Sequence, residues 1–237
     1  MIHKRRVNTT ALRTSALIRH GVWFVTNPPS YAHSDWHAEA AVLHRDSVAI
    51  PAQRINEEMT ESEGSDHQLS RAHSPQDSLD RLLMSDTVNC DSLALDVGLS
   101  LHRTALLGEL NGAVLRKLEA VLGNDRLKMT LNQTHNLIDR VTALAPLKTI
   151  NRFSMFSLDV EPDLLQLNDE LALCGARALL AALDNTDVMF FARTKMRWPR
   201  TCASTQIETS QVEKQLIRNY ICNEIIAVRF SGLAWLF

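Results

Sequence analysis

Glycine and aromatic side chains are both scarce: eight of the 237 residues are Gly, and only 5% are Phe, Trp or Tyr. A β-sandwich needs many turns and large strand-filling side chains, so this composition speaks against one. Cysteine is sparse and scattered. Cys90, Cys174, Cys202 and Cys222 form no C-x-x-C pair, which removes the redox motif and the usual zinc-knuckle spacing and leaves reduced thiols as the expectation. There is no Walker A loop, no Gly-rich dinucleotide turn and no G-x-S-x-G elbow, so nucleotide binding and serine hydrolysis find no motif here. Long apolar runs are missing too. Lys4, Arg5 and Arg6 are followed by Arg13 and Arg19, which leaves no apolar region of signal-peptide length. The chain is therefore expected to stay inside the cell. The apolar tail from Ile225 to Phe237 contains Arg229 and is too short to span a bilayer. Neither sign of charge dominates: 25 basic and 27 acidic residues give a net charge of −2. That balance exerts no global pull toward nucleic acid or an anionic membrane, and proteins are the expected partners.

What is present is a Leu- and Ala-rich chain, 45% apolar, ample for a packed core. Its organising stretch runs from Leu93 to Leu131 and contains no Pro. Val114, Leu115, Leu118, Val121 and Leu122 recur at steps of three and four, which is one helical stripe. Asn111 is placed to cap that helix, and Gly123 to end it. Before it, Leu93, Leu95, Val97, Leu99 and Leu101 alternate as in a strand, yet Leu95, Leu99 and Leu106 with Leu107 also fit one helical face. The surrounding helical segments favour a short buried helix.

Further elements follow from caps and breakers. A helix is expected over 31–45, capped by Ser34 or Asp35, and a short one from Ser78 or Asp80 through Met84. Asn124 or Asp125 is expected to open a helix with Leu127, Leu131, Leu137, Ile138, Val141 and Leu144 on one side, up to Pro146. Residues 147–161 read as an extended edge or as loop residues plugging the core. Asp159 with Pro162 marks the start of a helix over 163–183, where Gly175 suggests close helix packing. Val188 to Trp198 and Ser210 to Val228 complete the set, the latter with Val212, Leu216, Ile217, Tyr220 and Ile221 as its face. The fold class is mainly α, an irregular multi-helix domain with a flexible acidic linker near the N-terminus. The expected divisions are a basic arm and short helix over 1–56, a polar linker over 57–78 that lacks apolar anchors, a helical core over 79–199, and a C-terminal helix with an apolar tail over 200–237.

Candidates for chemistry are few. His33, His37 and His44 share helical spacing, the basis of a metal-dependent hydrolase as an alternative function, but H-E-x-x-H is absent and no Cys is near. His102 and His135 read as single polar contacts at a core margin. Arg193, Lys195, Arg197 and Arg200 form the densest basic patch outside the N-terminus, interleaved with Met196 and Trp198. That patch is a solvated face, a protein-docking strip or, as a further alternative, a nucleic-acid contact. No catalytic residue, metal ligand or cofactor is assigned.

Three segments carry a resemblance. The first is Gly98, a Leu-rich turn, Leu110-Asn111-Gly112 and the Leu-rich helix closed by Leu122-Gly123. The second is Cys174-Gly175 and the helix to Leu183, followed by Arg193-Thr194-Lys195-Met196-Arg197-Trp198-Pro199. The third is Tyr31-Ala32-His33-Ser34-Asp35-Trp36. Together they resemble the SctK family of type III secretion sorting-platform proteins. The resemblance implies a non-enzymatic cytosolic adaptor without cofactors. It would link an SctD-like ring protein to SctQ-like and SctL-like platform proteins at the cytoplasmic face of the inner membrane, in a setting of host nodulation or symbiosis. The partner-binding residues expected on this reading are Arg193, Lys195, Arg197, Trp198 and Trp36.

Overall fold

A computed structural model of the chain describes residues 19, 22–24, 26–44, 78–85, 89–183, 188–204 and 207–230. The described residues are mainly helical and contain no strand. Packing divides the chain into two compact units, Met1–Val88 with Gly232–Phe237, and Asn89–Ser231. Among the described residues no helix is long and apolar enough to cross a membrane. The linker expected over 57–78 lies outside the described residues apart from Ser78, as do most of the N-terminal arm and the last seven residues.

In the first unit, Tyr31 donates its hydroxyl to the Phe24 carbonyl at 2.7 Å and stacks on the Phe24 ring, with centroids 5.1 Å apart. Pro28–Ser30 forms a 3-10 turn, and a second one, Ser34–Trp36, leads into helix α1 (37–44). The cap is not Ser34 or Asp35. His33 takes that place, because its Nδ1 accepts the Asp35 amide at 3.3 Å. Trp36 and Ala40 are buried, whereas Ala41 is exposed. Helix α2 (Ser78–Met84) begins at the expected residue and buries Leu79, Leu82 and Leu83 completely.

The second unit is built on α3 (Cys90–Leu101), so the alternating leucines are helical. Asn89 opens it, its side chain accepting the Ser92 amide at 2.9 Å. Almost every side of α3 is buried, which is why no single period dominates its sequence. Against it lies α8 (Glu161–Ala182). A Cβ on Gly98 would sit 1.8 Å from the Leu171 carbonyl oxygen, and one on Gly175 would sit 1.7 Å from that of Ala94. The two backbones therefore touch, and only Gly allows it. The pairing of 94 with 175 and 98 with 171 makes the helices antiparallel at this crossing.

Around this pair wrap α4 (Arg103–Leu107), α5 (Gly112–Leu122), α6 (Asn124–Asn132) and α7 (Leu137–Arg140). Helix α5 has the expected ends: the Asn111 side chain accepts the Ala113 amide at 2.9 Å, and Gly123 has φ of 90°. Leu118 is fully buried in a cluster with Leu106, Leu122, Phe153, Leu167 and Leu171.

The single helix expected from 124 to 146 is instead broken after Asn132. Gln133 turns extended and spends its amide inside the protein, donating to Ser100 Oγ at 2.6 Å and accepting from the Tyr220 hydroxyl at 2.8 Å. Asn136 then caps α7 through the Ile138 amide at 3.2 Å. Residues 147–161 plug the core, with Ile150, Phe153 and Leu158 buried. Asp159 pairs with Lys117 and does not cap α8, whose first turn instead holds Pro162.

Helices α9 (Val188–Lys195) and α10 (Arg200–Ser204) lead to α11 (Gln211–Tyr220), which starts on a capping box of Ser210 and Glu213. Thr186 and Asp187, expected to open α9, lie outside the described residues. A π-helical turn, Ile221–Ile226, and α12 (Ala227–Arg229) complete the unit. Of the expected α11 face, Ile217, Tyr220 and Ile221 are buried, whereas Val212 in the first turn is exposed. The division expected at residue 200 is not a break in packing. Arg218 Nε donates to the Ala182 carbonyl at 2.7 Å, and Arg229 reaches the buried Asp96 at 3.3 Å beside Arg126.

Candidate protein-docking surface

The strip expected to dock a partner faces the interior. Arg193 is 3% exposed and Trp198 2%; Thr194, Met196 and Arg197 are also buried, Lys195 is half-buried, and Arg200 alone is open. Helix α9 ends at Lys195, and the chain continues through turns in which the amides of Met196, Arg197 and Trp198 bond to the carbonyls of Arg193, Thr194 and Lys195. Met196 and Trp198 draw this segment inward. A guanidinium follows when acceptors are at hand, because its long apolar stem packs as it goes. Arg197 Nη1 lies 3.2 Å from Cys90 Sγ at the start of α3, and burial holds that thiol above its ordinary value against the pull of Arg197. Trp36, in the first unit, is buried as well. Four of the five residues assigned to partner binding are thus structural as the chain stands.

The three histidines do not converge either. His33 is spent on its capping bond, and the His44 ring contacts the Thr26 carbonyl through Nδ1 at 2.5 Å. His37 is exposed. Among the described residues no group of three His, Cys, Asp or Glu is placed to hold a metal ion.

A different region presents apolar surface to solvent. After α4, the Gly108 amide bonds to the Thr104 carbonyl at 3.0 Å and the Glu109 amide to that of Leu106 at 3.2 Å. The Glu109 carboxylate accepts two backbone amides, Asn111 at 3.1 Å and Ser154 at 3.2 Å, which ties the 108–111 loop to the 152–155 turn. Phe153 is fully buried and anchors that turn from below. On this framework Leu110 is 94% exposed, Met155 68% and Leu107 50%. Between loop and turn runs a groove of about 480 Å³ whose lining includes Thr104, Leu110, Lys148 and Arg152.

His102 lies behind the segment that carries Lys148, a lining residue of that groove. The Thr149 amide donates to its Nε2 at 3.2 Å, so the ring proton sits on Nδ1 and goes to the Gly98 carbonyl at 2.7 Å. Burial holds the imidazole below its ordinary value, against the opposing effect of the Gly98 bond. The neutral ring pins residue 149 to α3 and so positions Lys148 beside it. His102 was expected at a core margin. It is fully buried, and both nitrogens are used.

Comparison with family models, curated proteins and solved structures finds no match. The surface must therefore be read from its own residues. It can bind; its groups are two cations, one carboxylate occupied by amides, and exposed apolar side chains. Leu107, expected on one helical face with Leu95, Leu99 and Leu106, is instead half-exposed, and only Leu110 falls outside every expected stripe. Leu110 alone was an obscure signal, because Met155 and Arg152 come from a separate part of the chain.

Proposed function

We propose that the chain is a non-enzymatic adaptor of a type III secretion apparatus, of the SctK-like kind, acting through protein-binding surfaces at the cytoplasmic face of the inner membrane. It bridges an SctD-like ring protein and the SctQ-like and SctL-like platform proteins, in a setting of host nodulation or symbiosis. The observation that supports this reading is where the resembling segments fall. Gly98 in the first and Gly175 in the second meet at one helix crossing, each against the other helix's backbone. The exposed apolar edge at Leu107, Leu110 and Met155 supports a binding role independently.

The test is co-elution of the purified chain with an SctD-like cytoplasmic domain and with SctQ-like and SctL-like proteins of the same bacterium, together with effector secretion in a deletion strain. The expected result is a stable complex with at least one of them and loss of secretion restored by the gene. Normal secretion in the deletion strain, with no complex formed, overturns the reading.

A further inference from the structure

We propose that the edge formed by residues 107–111 and 152–155 docks an acidic, amphipathic segment of a partner protein, with Leu110 as the apolar anchor and Lys148 and Arg152 as the cations that receive its carboxylates. A lone exposed leucine is ordinary. Here Leu110 lines the groove, Leu107 and Met155 are exposed on the elements that flank it, and the loop carrying Leu110 is held by hydrogen bonds on both sides. An anchor fixed before binding loses little conformational freedom when it is covered.

Charge selects the occupant. Glu109 is already occupied by two backbone amides, and among the described residues neither Lys148 nor Arg152 has an ion-pair partner. Two cations against the single Glu109 carboxylate, whose charge its amide bonds do not cancel, leave the edge with a local charge of +1 (two minus one) on a chain whose net charge is −2. Carboxylates flanking an apolar side chain complement it, whereas a second copy of the same edge would bring like charges together. Nucleic acid fits less well: two cations are a narrow footprint for phosphates, and Leu110 and Met155 offer no face on which a base would stack.

This inference deepens the adaptor reading and rests on it in taking the ligand to be a protein. The test uses the full chain and three labelled peptides of equal length, read by fluorescence anisotropy. One alternates Glu with Leu at helical spacing, one replaces Glu by Lys, and one replaces Leu by Ser. The Glu–Leu peptide is expected to bind in a saturable way and to weaken with added salt; the Lys peptide is expected not to bind, and the Ser peptide to bind about tenfold more weakly. Leu110→Ser and Arg152→Glu are each expected to weaken the Glu–Leu peptide about tenfold without moving the thermal melt, while Val212→Ser, on a different exposed helix, leaves it unchanged. The proposal is overturned if no peptide saturates, if the Lys peptide binds as well as the Glu peptide, if Leu110→Ser binds like the parent, or if a labelled DNA duplex displaces the peptide. The two readings fail separately. A chain that binds the peptide but co-elutes with no secretion protein loses the adaptor role and keeps the edge; a complex indifferent to Leu110→Ser and Arg152→Glu loses the edge and keeps the adaptor.

Discussion

The crossing of α3 and α8 and the edge at 107–111 are opposite solutions within one compact unit. At the crossing, side chains have been removed until backbone meets backbone, and Gly98 and Gly175 leave no room for a single methyl. At the edge the backbone is equally well held, through Glu109 and Asn111, but the side chains point into solvent. Rigidity alone therefore does not distinguish core from surface here. What differs is the apolar area removed from water, which sets the cost of a substitution.

The comparison is broken most severely at Gly175. Gly175→Ala is expected to force the helices apart and lower stability by about 3 kcal/mol or more, a fall in melting temperature of roughly 6–12 °C for a unit of this size. A melt that stays in place would mean the backbones are not in contact. Leu118→Ala tests the cluster beneath α5 and is expected to cost about 2–5 kcal/mol, with urea denaturation as the measurement; no change there would remove Leu118 from the core.

A smaller effect comes from His102, which lies between the two regions. Its folded pKa is depressed by burial, so the unfolded chain binds the extra proton first. The stability contributed by the neutral ring is complete above about 6.5 and declines as pH falls below that value toward the folded pKa. The slope attributable to this one group is at most about 1.4 kcal/mol per pH unit. Denaturation midpoints measured from neutral to mildly acidic pH should show it, and His102→Gln should flatten it; an equal acid slope in that variant would assign the effect elsewhere. Smallest of all is Leu110→Ser, expected to shift unfolding free energy by less than about 0.5 kcal/mol. A large loss would show that the edge is part of the core.

How far the sequence could be read depended on the range of the interactions. Helix α5 was legible at both ends because Asn111 and Gly123 act on their own neighbours. Pro162 and the start of α2 were legible for the same reason, and Gly175 announced close packing by its place inside a helical stripe. The break after Asn132 was not, since Gln133 finds Ser100 and Tyr220 from far along the chain and its own segment keeps helical spacing. The basic strip misled in a related way. Alternation of Arg and Lys with Met and Trp looks the same whether the guanidinium groups meet water or find acceptors inside, and only tertiary packing decides between them. Of the candidate edge, the sequence pattern showed little: Leu107 shares helical spacing with the buried Leu99 and Leu106, and the carboxylate bridge from Glu109 to Ser154 that joins the two halves is a purely three-dimensional fact.

The reciprocal fit of Gly98 and Gly175 also bears on how the molecule opens. A carbonyl seated against a glycine loses its close contact once the helices separate by about an ångström, because attraction between packed atoms falls steeply with distance. Docking of α3 on α8 is thus closer to a latch than to a spring, since a gap of about 1 Å already forfeits up to about half of the attraction between the facing atoms. Amides in the middle of both helices should exchange with solvent together and only through global unfolding, while those of the 108–111 loop exchange through shallow, local openings.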